Sequence, residues 1–535
     1  MMNTLSTTKD MVKRQPVLSG FLVLIAIGVL ARIVTLGTDS IWSDEAYSVW
    51  AATRSWTYLW THVPEFETHP VFFYSIMKIW IGVFGESEVA VRSMSLLFNL
   101  LTVPVLMLIV RRLGDPSAAT ERGVIAAAVF LLSFTQVNSA QDARPYALMT
   151  LSMAVMMWGI IEIMMASERA KQPMLTIIRD DRHMLLAYAA FSIGAAVMAW
   201  IHNVGPLFPV IAGLVLLAWW GMTHRHVMLL ANIVIASAFA VLLYTPNIIN
   251  ILGQLNTMDS QGFWLTRPSF ADFVEAISKL PVGGSMNNAP FNFLVPIGAV
   301  ISVGLVLIGA LSLLRDQYSR HSRDGMFVVA LLLALAFLPA FITFVVSIFS
   351  TPIFMFRTFQ ASQLSCIVLI AFAPYLFARW KPYVLAAIVV SSSISALSLI
   401  GYGAKENWRD IVLAVGADDT AQTPKMVVVA PSSEMPLDYY KRRLGVHFET
   451  LPVPGPFPVR TPESVYPNGG GGDPLITPDA LPPVKAWVAD TDEIWMVVRY
   501  EQALDQEGLI RDYLVQEFPC LLKTVSYAEK RARAC

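Results

Sequence analysis

S-I-W-S-D-E-A-Y, Ser40 to Tyr47, follows directly on the first long apolar run of the chain, Val17 to Leu36. A run of roughly 20 apolar residues is long enough to cross the hydrocarbon core of a bilayer. Two adjacent carboxylates, Asp44 and Glu45, therefore stand where that helix surfaces, between Trp42 and Tyr47. A second acidic stretch recurs at Gln141-Asp142-Ala143-Arg144-Pro145-Tyr146. The expectation is that these two acidic loops face each other across one membrane-embedded reaction site.

Composition supports the membrane reading. Of 535 residues, 55% are hydrophobic and 14% charged, and the mean hydropathy is +0.57. Soluble chains carry about 25% charged residues. A net charge of -1 leaves no basic domain for nucleic acid. Three cysteines, Cys366, Cys520 and Cys535, match no metal-cluster spacing.

The first apolar run lacks a small-residue cleavage site and more spans follow, so it reads as a retained helix. Further spans are expected at 93–111, 123–140, 147–166, 184–201, 204–221, 227–249, 291–314, 326–350, 359–378 and 383–402, eleven in all. Alternate loops carry the basic residues: Lys13 and Arg14, then Arg111, Arg112 and Arg122, then Arg169, Lys171, Arg179 and Arg182. Arg225, Arg315, Arg320, Arg323, Arg379 and Lys381 continue the series. Excess Lys and Arg marks cytoplasmic loops. The N-terminus is thus expected inside and the tail from about residue 403 outside, together with both acidic stretches.

Within the first outer loop, residues 70–84 are apolar but short, and counting them as a span would invert every later loop. A helix lying in the interface, with Trp80 and Tyr74 at headgroup depth and Lys78 snorkelling, fits the charge pattern. The polar stretch 250–290 reads as a long, functional loop. The tail changes character. Lys425 to Ala430 and Glu493 to Arg499 read as buried strands, Asp438 to Arg443 as the end of a helix, and Pro452 to Pro483 as a flexible loop. The fold class is therefore mainly α and polytopic, with a small α/β domain at the C-terminus. The chain divides into a membrane domain, 1–402, and an outer domain, 403–535. Gly469 to Gly472 lacks the Gly-Lys-Ser/Thr ending of a phosphate loop. Cys520 and Cys535 would lie in an oxidising compartment, where bridged and free forms are both open. Cys366 reads as packing.

Taken singly, the polar residues have ordinary explanations. Ser43 or Asp44 can start a surface helix whose positive end favours the acids. Asp142 and Arg144 can form a surface ion pair. His69 and His202 can be interfacial residues, and Arg357 can snorkel. Their shared side of the membrane is what links them.

The stretches S-I-W-S-D-E-A-Y, H-P-V-F-F-Y-S-I-M-K-I-W, S-E-V-A-V-R-S-M-S-L-L-F-N and A-Q-D-A-R-P-Y-A-L together resemble the membrane-embedded GT-C glycosyltransferases. The likeness is to the bacterial branch related to protein O-mannosyltransferases and to the lipid A aminoarabinose transferase. It covers residues 20–150, with weaker echoes in R-T-F-Q at 357–360 and K-E-N-W-R-D at 405–410.

The resemblance implies a sugar donor on a polyprenyl monophosphate, used at the outer face of the inner (cytoplasmic) membrane. The acceptor would be a glycan, lipid or protein hydroxyl. It implies Asp44 as base, Glu45 as an orienting group and Asp142 as the second acid. His69-Pro70-Val71 stands where the family has a basic residue and two prolines, so His69 replaces a permanent cation. A departing phosphate needs preorganised positive charge. Arg144, Arg357, His69, Arg267 and Lys78 are the candidates, with Tyr146 beside them in the second acidic stretch. No cofactor is required by this scheme, and the resemblance leaves a divalent metal open, because some relatives bind one through such acids. The rival reading is a flippase for lipid-linked sugars; transporters place ionisable groups at midplane, often on broken helices.

Overall fold

The computed structural model describes residues 16–67, 69–261, 265–284, 291–400, 405–417, 423–459, 475–499, 504–524 and 529–533. The chain divides into two compact units. One comprises residues 1–36, 92–248 and 267–403; the other comprises 37–91, 249–266 and 404–535.

The first unit is helical. Nine helices among the described residues are long and apolar enough to cross a membrane: Glu88–Arg112, Tyr146–Met165, Arg182–Ile201, Leu207–His224, Val227–Leu252, Val295–Ser319, Arg323–Phe349, Phe356–Tyr375 and Ala378–Leu397. Helix Pro16–Val34 corresponds to the expected first span. The polytopic class expected from hydropathy is borne out.

The expected span 123–140 is not one helix. It breaks at Ser133 into Ala119–Leu132 and Phe134–Ala140, and the pair is bent by 67°. Ser133 is extended, with φ -66° and ψ 127°, which interrupts the helical ladder. Buried polar groups take up the freed backbone. Ser395 Oγ accepts from the Phe134 N–H at 2.9 Å and donates to the Val282 carbonyl at 2.6 Å. Ser133 Oγ donates to the same carbonyl at 2.8 Å. In a bilayer such groups must find protein partners, because no water is present to replace them.

Arg32 shows the same rule. It is fully buried, and its guanidinium reaches Asn99 Oδ1 at 3.1 Å, the Gly28 carbonyl at 2.9 Å and the Leu131 carbonyl at 2.5 Å.

The basic loops meet at one end of this unit. Arg112 bridges to Glu162 at 3.1 Å, and Lys381 to Glu121 at 2.8 Å. Asp324 accepts from Ser167 (2.9 Å) and from Trp219 Nε1 (2.8 Å), and it pairs with His224 at 2.8 Å. Five loops that the charge pattern assigns to one side are thus tied to each other there.

Residues 250–290 are not a loop throughout. Helix Val227–Gln261 continues well past its expected end, and Phe270–Lys279 is a second helix opened by a Ser269–Asp272 capping box. Residues 262–264 and 285–290 lie outside the described residues.

The second unit carries the α/β part. Its five-stranded sheet has the order β2-β1-β3-β5-β4, with β1 Lys425–Val429, β2 Glu449–Val453, β3 Glu493–Val498, β4 Cys520–Thr524 and β5 Glu529–Arg533. β1 runs parallel to β2 and β3; β5 is antiparallel to β3 and β4. Met426 to Val429 are all fully buried, as expected of a strand covered on both faces.

Helix Glu434–Leu444 makes the crossover between β1 and β2 and ends at Gly445, where φ is 66°. Val427, Val429, Ile494 and Met496 pack with Val484, Ile510 and Leu514 from the helices Leu481–Val488 and Leu509–Glu517. Both expected strands are present. Gly469 to Gly472 lie outside the described residues. Cys520 is disulfide-bonded and Cys366 is a free, buried thiol, whereas Cys535 lies outside the described residues.

This unit also contains the short helices that follow the first apolar helix. Phe72–Phe84 buries Phe73, Tyr74 and Met77 and exposes Ile79, Val83 and Phe84. At 13 residues it is too short to cross a bilayer upright.

Candidate functional site

Helix Ser43–Thr53 begins at the acidic stretch. Trp42 is extended (φ -93°, ψ 170°), so the helix starts with Ser43, and Asp44 and Glu45 fall in its first turn. Negative charge is favoured there by the helix dipole. Successive residues on a helix point about 100° apart. Here that separates the two acids: Glu45 is fully buried and Asp44 half-buried. Glu45 forms an ion pair with Lys405 at 3.2 Å.

A single segment, Lys405 to Arg409, grips this helix start. Glu406 Oε2 accepts from the Ser43 N–H at 2.8 Å, from Ser43 Oγ at 2.6 Å and from Trp408 Nε1 at 2.8 Å. Arg499 donates to Ser43 Oγ at 2.6 Å and pairs with the other oxygen of Glu406. Its guanidinium lies 5.1 Å from the Trp408 ring centroid.

A second hub lies one turn earlier in the chain. The Tyr440 hydroxyl accepts from the Ile41 N–H at 2.7 Å and from Ser40 Oγ at 3.1 Å, and donates to Glu88 at 3.0 Å. Arg409 binds Glu88 at 2.9 Å, and its backbone N–H donates to Ser40 Oγ at 3.1 Å. Each residue from Ser40 to Ser43, and Glu45, is thus fixed by a partner far along the chain or within the same turn.

The rest of helix Ser43–Thr53 is held by aromatic packing and by its C-terminal end. Tyr47, Trp50 and Phe66 meet Phe457 edge-on at centroid distances of 6.1, 5.4 and 6.0 Å. The Phe457 N–H donates to Glu434 at 3.3 Å, and burial pushes the Glu434 carboxyl up to about 7.

The other candidates are distributed as follows. Lys78 donates to the Ala52 and Arg54 carbonyls at 3.2 and 2.6 Å, closing the C-terminal end of helix Ser43–Thr53. His69 lies against Glu67, with Nδ1 and the backbone N–H each 2.8 Å from the same oxygen. Asp44, Glu45, His69 and Lys78 all belong to the second unit.

Asp142, Arg144 and Tyr146 belong to the first unit and are all buried, between the broken helix and Tyr146–Met165. The Arg144 carbonyl accepts from Ser95 Oγ at 3.5 Å. Arg357 lies in the short helix Phe356–Phe359 with Nε 3.1 Å from Met355 Sδ, and Arg267 is exposed. Among the described residues, no group of three or more His, Cys, Asp or Glu is arranged to hold a metal ion.

Sequence reasoning missed Glu406, Arg499, Tyr440 and Glu88 as parts of this arrangement. K-E-N-W-R-D was the one visible signal, and Lys405, Glu406 and Arg409 from it turn out to contact residues 40–88.

No family model matches the chain, and no curated protein matches it in sequence. Solved structures do. ArnT from Cupriavidus metallidurans in the apo state aligns with a TM-score of 0.52 at 13% identity, over 96% of this chain and 98% of that one. The same protein bound to undecaprenyl phosphate gives 0.53 at 11%, over 96% and 97%. The archaeal oligosaccharyltransferase AglB from Archaeoglobus fulgidus, in complex with an inhibitory peptide and a dolichol-phosphate, gives 0.50 at 12%, over 90% and 70%. The chain shares the fold of both neighbours.

Proposed function

We propose that this chain is a glycosyltransferase that moves a sugar from a polyprenyl-monophosphate donor to a hydroxyl acceptor. The likeness over 96% of the chain to a protein crystallised with undecaprenyl phosphate is the observation that carries this reading.

In the proposed reaction the acceptor oxygen bonds to the anomeric carbon as the bond from that carbon to the phosphate oxygen breaks. The configuration inverts, and polyprenyl phosphate leaves as an anion. Asp44 takes the acceptor proton. It is the member of the acidic pair that is not fully buried, while Glu45 is held by Lys405 and orients the helix start. A general base must come within hydrogen-bond reach of its proton. Asp142 is the second acid. His69, Arg144, Tyr146, Arg357, Arg267 and Lys78 are the candidates for the phosphate and the sugar.

The membrane domain, 1–402, holds the chemistry in this proposal, and 403–535 forms the outer domain. The charge rule supports a cytoplasmic N-terminus and an outer-face site in the inner membrane. The acceptor is a glycolipid, polysaccharide or protein, and the transferred group a hexose or pentose.

The helix break at Ser133 is the observation that favours the rival, a transporter of lipid-linked sugars, since such breaks line transport sites. One experiment separates the two. Purified protein in liposomes receives a panel of polyprenyl-phosphate sugars with membrane-extract acceptors, and free polyprenyl phosphate is measured. Release by the wild type, lost in Asp44→Asn, supports the transferase. Movement of the donor between leaflets without release supports the transporter.

A further inference from the structure

The end of the first unit where the basic loops meet contains a cavity of about 250 Å³. Arg111, Arg112 and Arg320 line it, together with Gly114, Gln317 and Ser322. None of these residues belongs to the machinery assigned above.

Three arginines round one cavity repel each other unless something offsets them. Acids at this end do so only in part. Glu162 is shared between Arg112 and His183, each at 3.1 Å. Asp316 pairs with Arg320 at 3.0 Å and also accepts from Gln317 Nε2 at 3.0 Å. Arg111 is exposed and makes no hydrogen bond or ion pair with the described residues. Two of the three lining arginines are thus paired, Arg112 with Glu162 and Arg320 with Asp316, and Asp115 also acts on Arg320, so Arg111 is the lining cation that no carboxylate among the described residues offsets.

The floor is built by backbone. Gly114 takes φ +71°, and a side chain there would run into Phe372 at 2.7 Å. Gly325 lets Gln317 pack against the start of helix Arg323–Phe349, where Ser322 caps the Gly325 N–H at 3.0 Å. The pocket is thus a formed feature between the ends of three spans and not a cleft among loose side chains.

Guanidinium groups in this arrangement suit a tetrahedral oxyanion, which they bind through paired N–H donors. Basic pockets between transmembrane helices at the charge-rich side take phosphate headgroups. We infer that this cavity is a binding site for a phosphate ester, separate from the proposed donor site. Two sources share that chemistry: the headgroup of an anionic phospholipid in the adjoining leaflet, and a soluble phosphate.

The test uses the full chain in detergent micelles, with bound lipid counted by native mass spectrometry. Phosphatidylglycerol, phosphatidylcholine and inorganic phosphate are titrated separately. The wild type is expected to prefer phosphatidylglycerol over phosphatidylcholine. Arg111→Gln is expected to weaken that binding about five-fold and Arg111→Gln with Arg320→Gln about 25-fold, as the loss of one or two cations near an anionic headgroup implies. Arg111→Lys should restore most of it. Arg225→Gln, at an exposed arginine outside the cavity, should change nothing.

Displacement of the lipid by inorganic phosphate, sensitive to the same substitutions, identifies a soluble phosphate as the occupant. Lipid binding indifferent to inorganic phosphate identifies the headgroup. Equal binding of both lipids and no phosphate binding by the wild type overturns the inference. So does unchanged binding by Arg111→Gln, a variant that breaks no hydrogen bond or ion pair among the described residues.

Discussion

Glu406 accepts hydrogen bonds from both the backbone N–H and the hydroxyl of Ser43, at 2.8 and 2.6 Å, across 363 residues of sequence. The carboxylate thereby caps a helix whose second residue is Asp44. A helix N-terminus leaves backbone N–H groups without intrahelical partners, and here the cap comes from a distant segment of the same unit. Replacing Glu406 by Gln should remove the charge that pairs with Arg499, whose side chain is only 12% exposed and which keeps its bond to Ser43 Oγ. The expected loss is about 1–3 kcal/mol, the range for a hydrogen bond to a charged group. Thermal unfolding in detergent checks it. A positioning role predicts a lower kcat with KM for the donor little changed.

Asp44→Asn should reduce transfer by about 10²–10⁴, the range for loss of a general base. Thermal stability should stay close to wild type, because Asp44 is only half-buried in the first turn. Wild-type turnover by this variant removes Asp44 from the role of base.

Glu45 and Lys405 form a pair with side-chain exposures of 0% and 15%. Lys405→Ala leaves the carboxylate buried without its cation, a change that costs about 3–5 kcal/mol. Adding Glu45→Gln should recover much of that loss. A double-mutant cycle on the unfolding midpoint reads the coupling, and strictly additive losses would show the pair to be uncoupled.

Glu434 gives a pH signature. Its carboxyl rises from 4.5 to about 7 on folding because burial disfavours the charged form. The folded state therefore holds this proton more tightly than the unfolded state. Stability from this group is full below pH 4.5 and declines as pH rises towards 7, where the folded protein must carry the charge. Solvent screening at a half-buried site limits the effect to on the order of 1 kcal/mol. Glu434→Gln should flatten the fall in unfolding temperature between pH 5 and 8; an unchanged slope assigns it to another group.

Gly283 takes φ +77°, and a Cβ there would meet Thr135 Oγ1 at 2.3 Å and the Thr135 N at 3.0 Å. This close approach lets the neighbouring Val282 carbonyl receive Ser133 and Ser395 at the helix break. Gly283→Ala should destabilise by about 1–3 kcal/mol, from backbone strain and displaced contacts together. Thermal unfolding again provides the measurement, and a neutral result would mean that the break tolerates a shift of this segment.

Much of the architecture was legible in the chain. The apolar runs mark the spans because a bilayer demands about 20 such residues whatever their partners. Lys425 to Ala430 and Glu493 to Arg499 read as strands because a buried strand is continuously apolar. The separation of Asp44 from Glu45 followed from helical geometry alone.

Other features carried no local mark. Phe134-Thr135-Gln136 continues the apolar pattern with only modest polarity, so the bend at Ser133 is invisible until Ser395 and Val282 arrive from elsewhere in the chain. Residues 250–261 are polar, yet they continue helix Val227–Gln261, because polarity forbids burial in lipid but not helical hydrogen bonding.

Sequence by itself determined the membrane class, the order of spans, the gathering of basic loops at one end and the acidic helix start at Asp44-Glu45. These follow from the solvent requirements of single segments. Only the tertiary structure decided what holds that start. Glu406, Lys405, Arg409, Tyr440 and Arg499 reach it from more than 350 residues away. An ion pair or a borrowed cap depends on where two distant side chains meet, and no periodicity along the chain records that meeting.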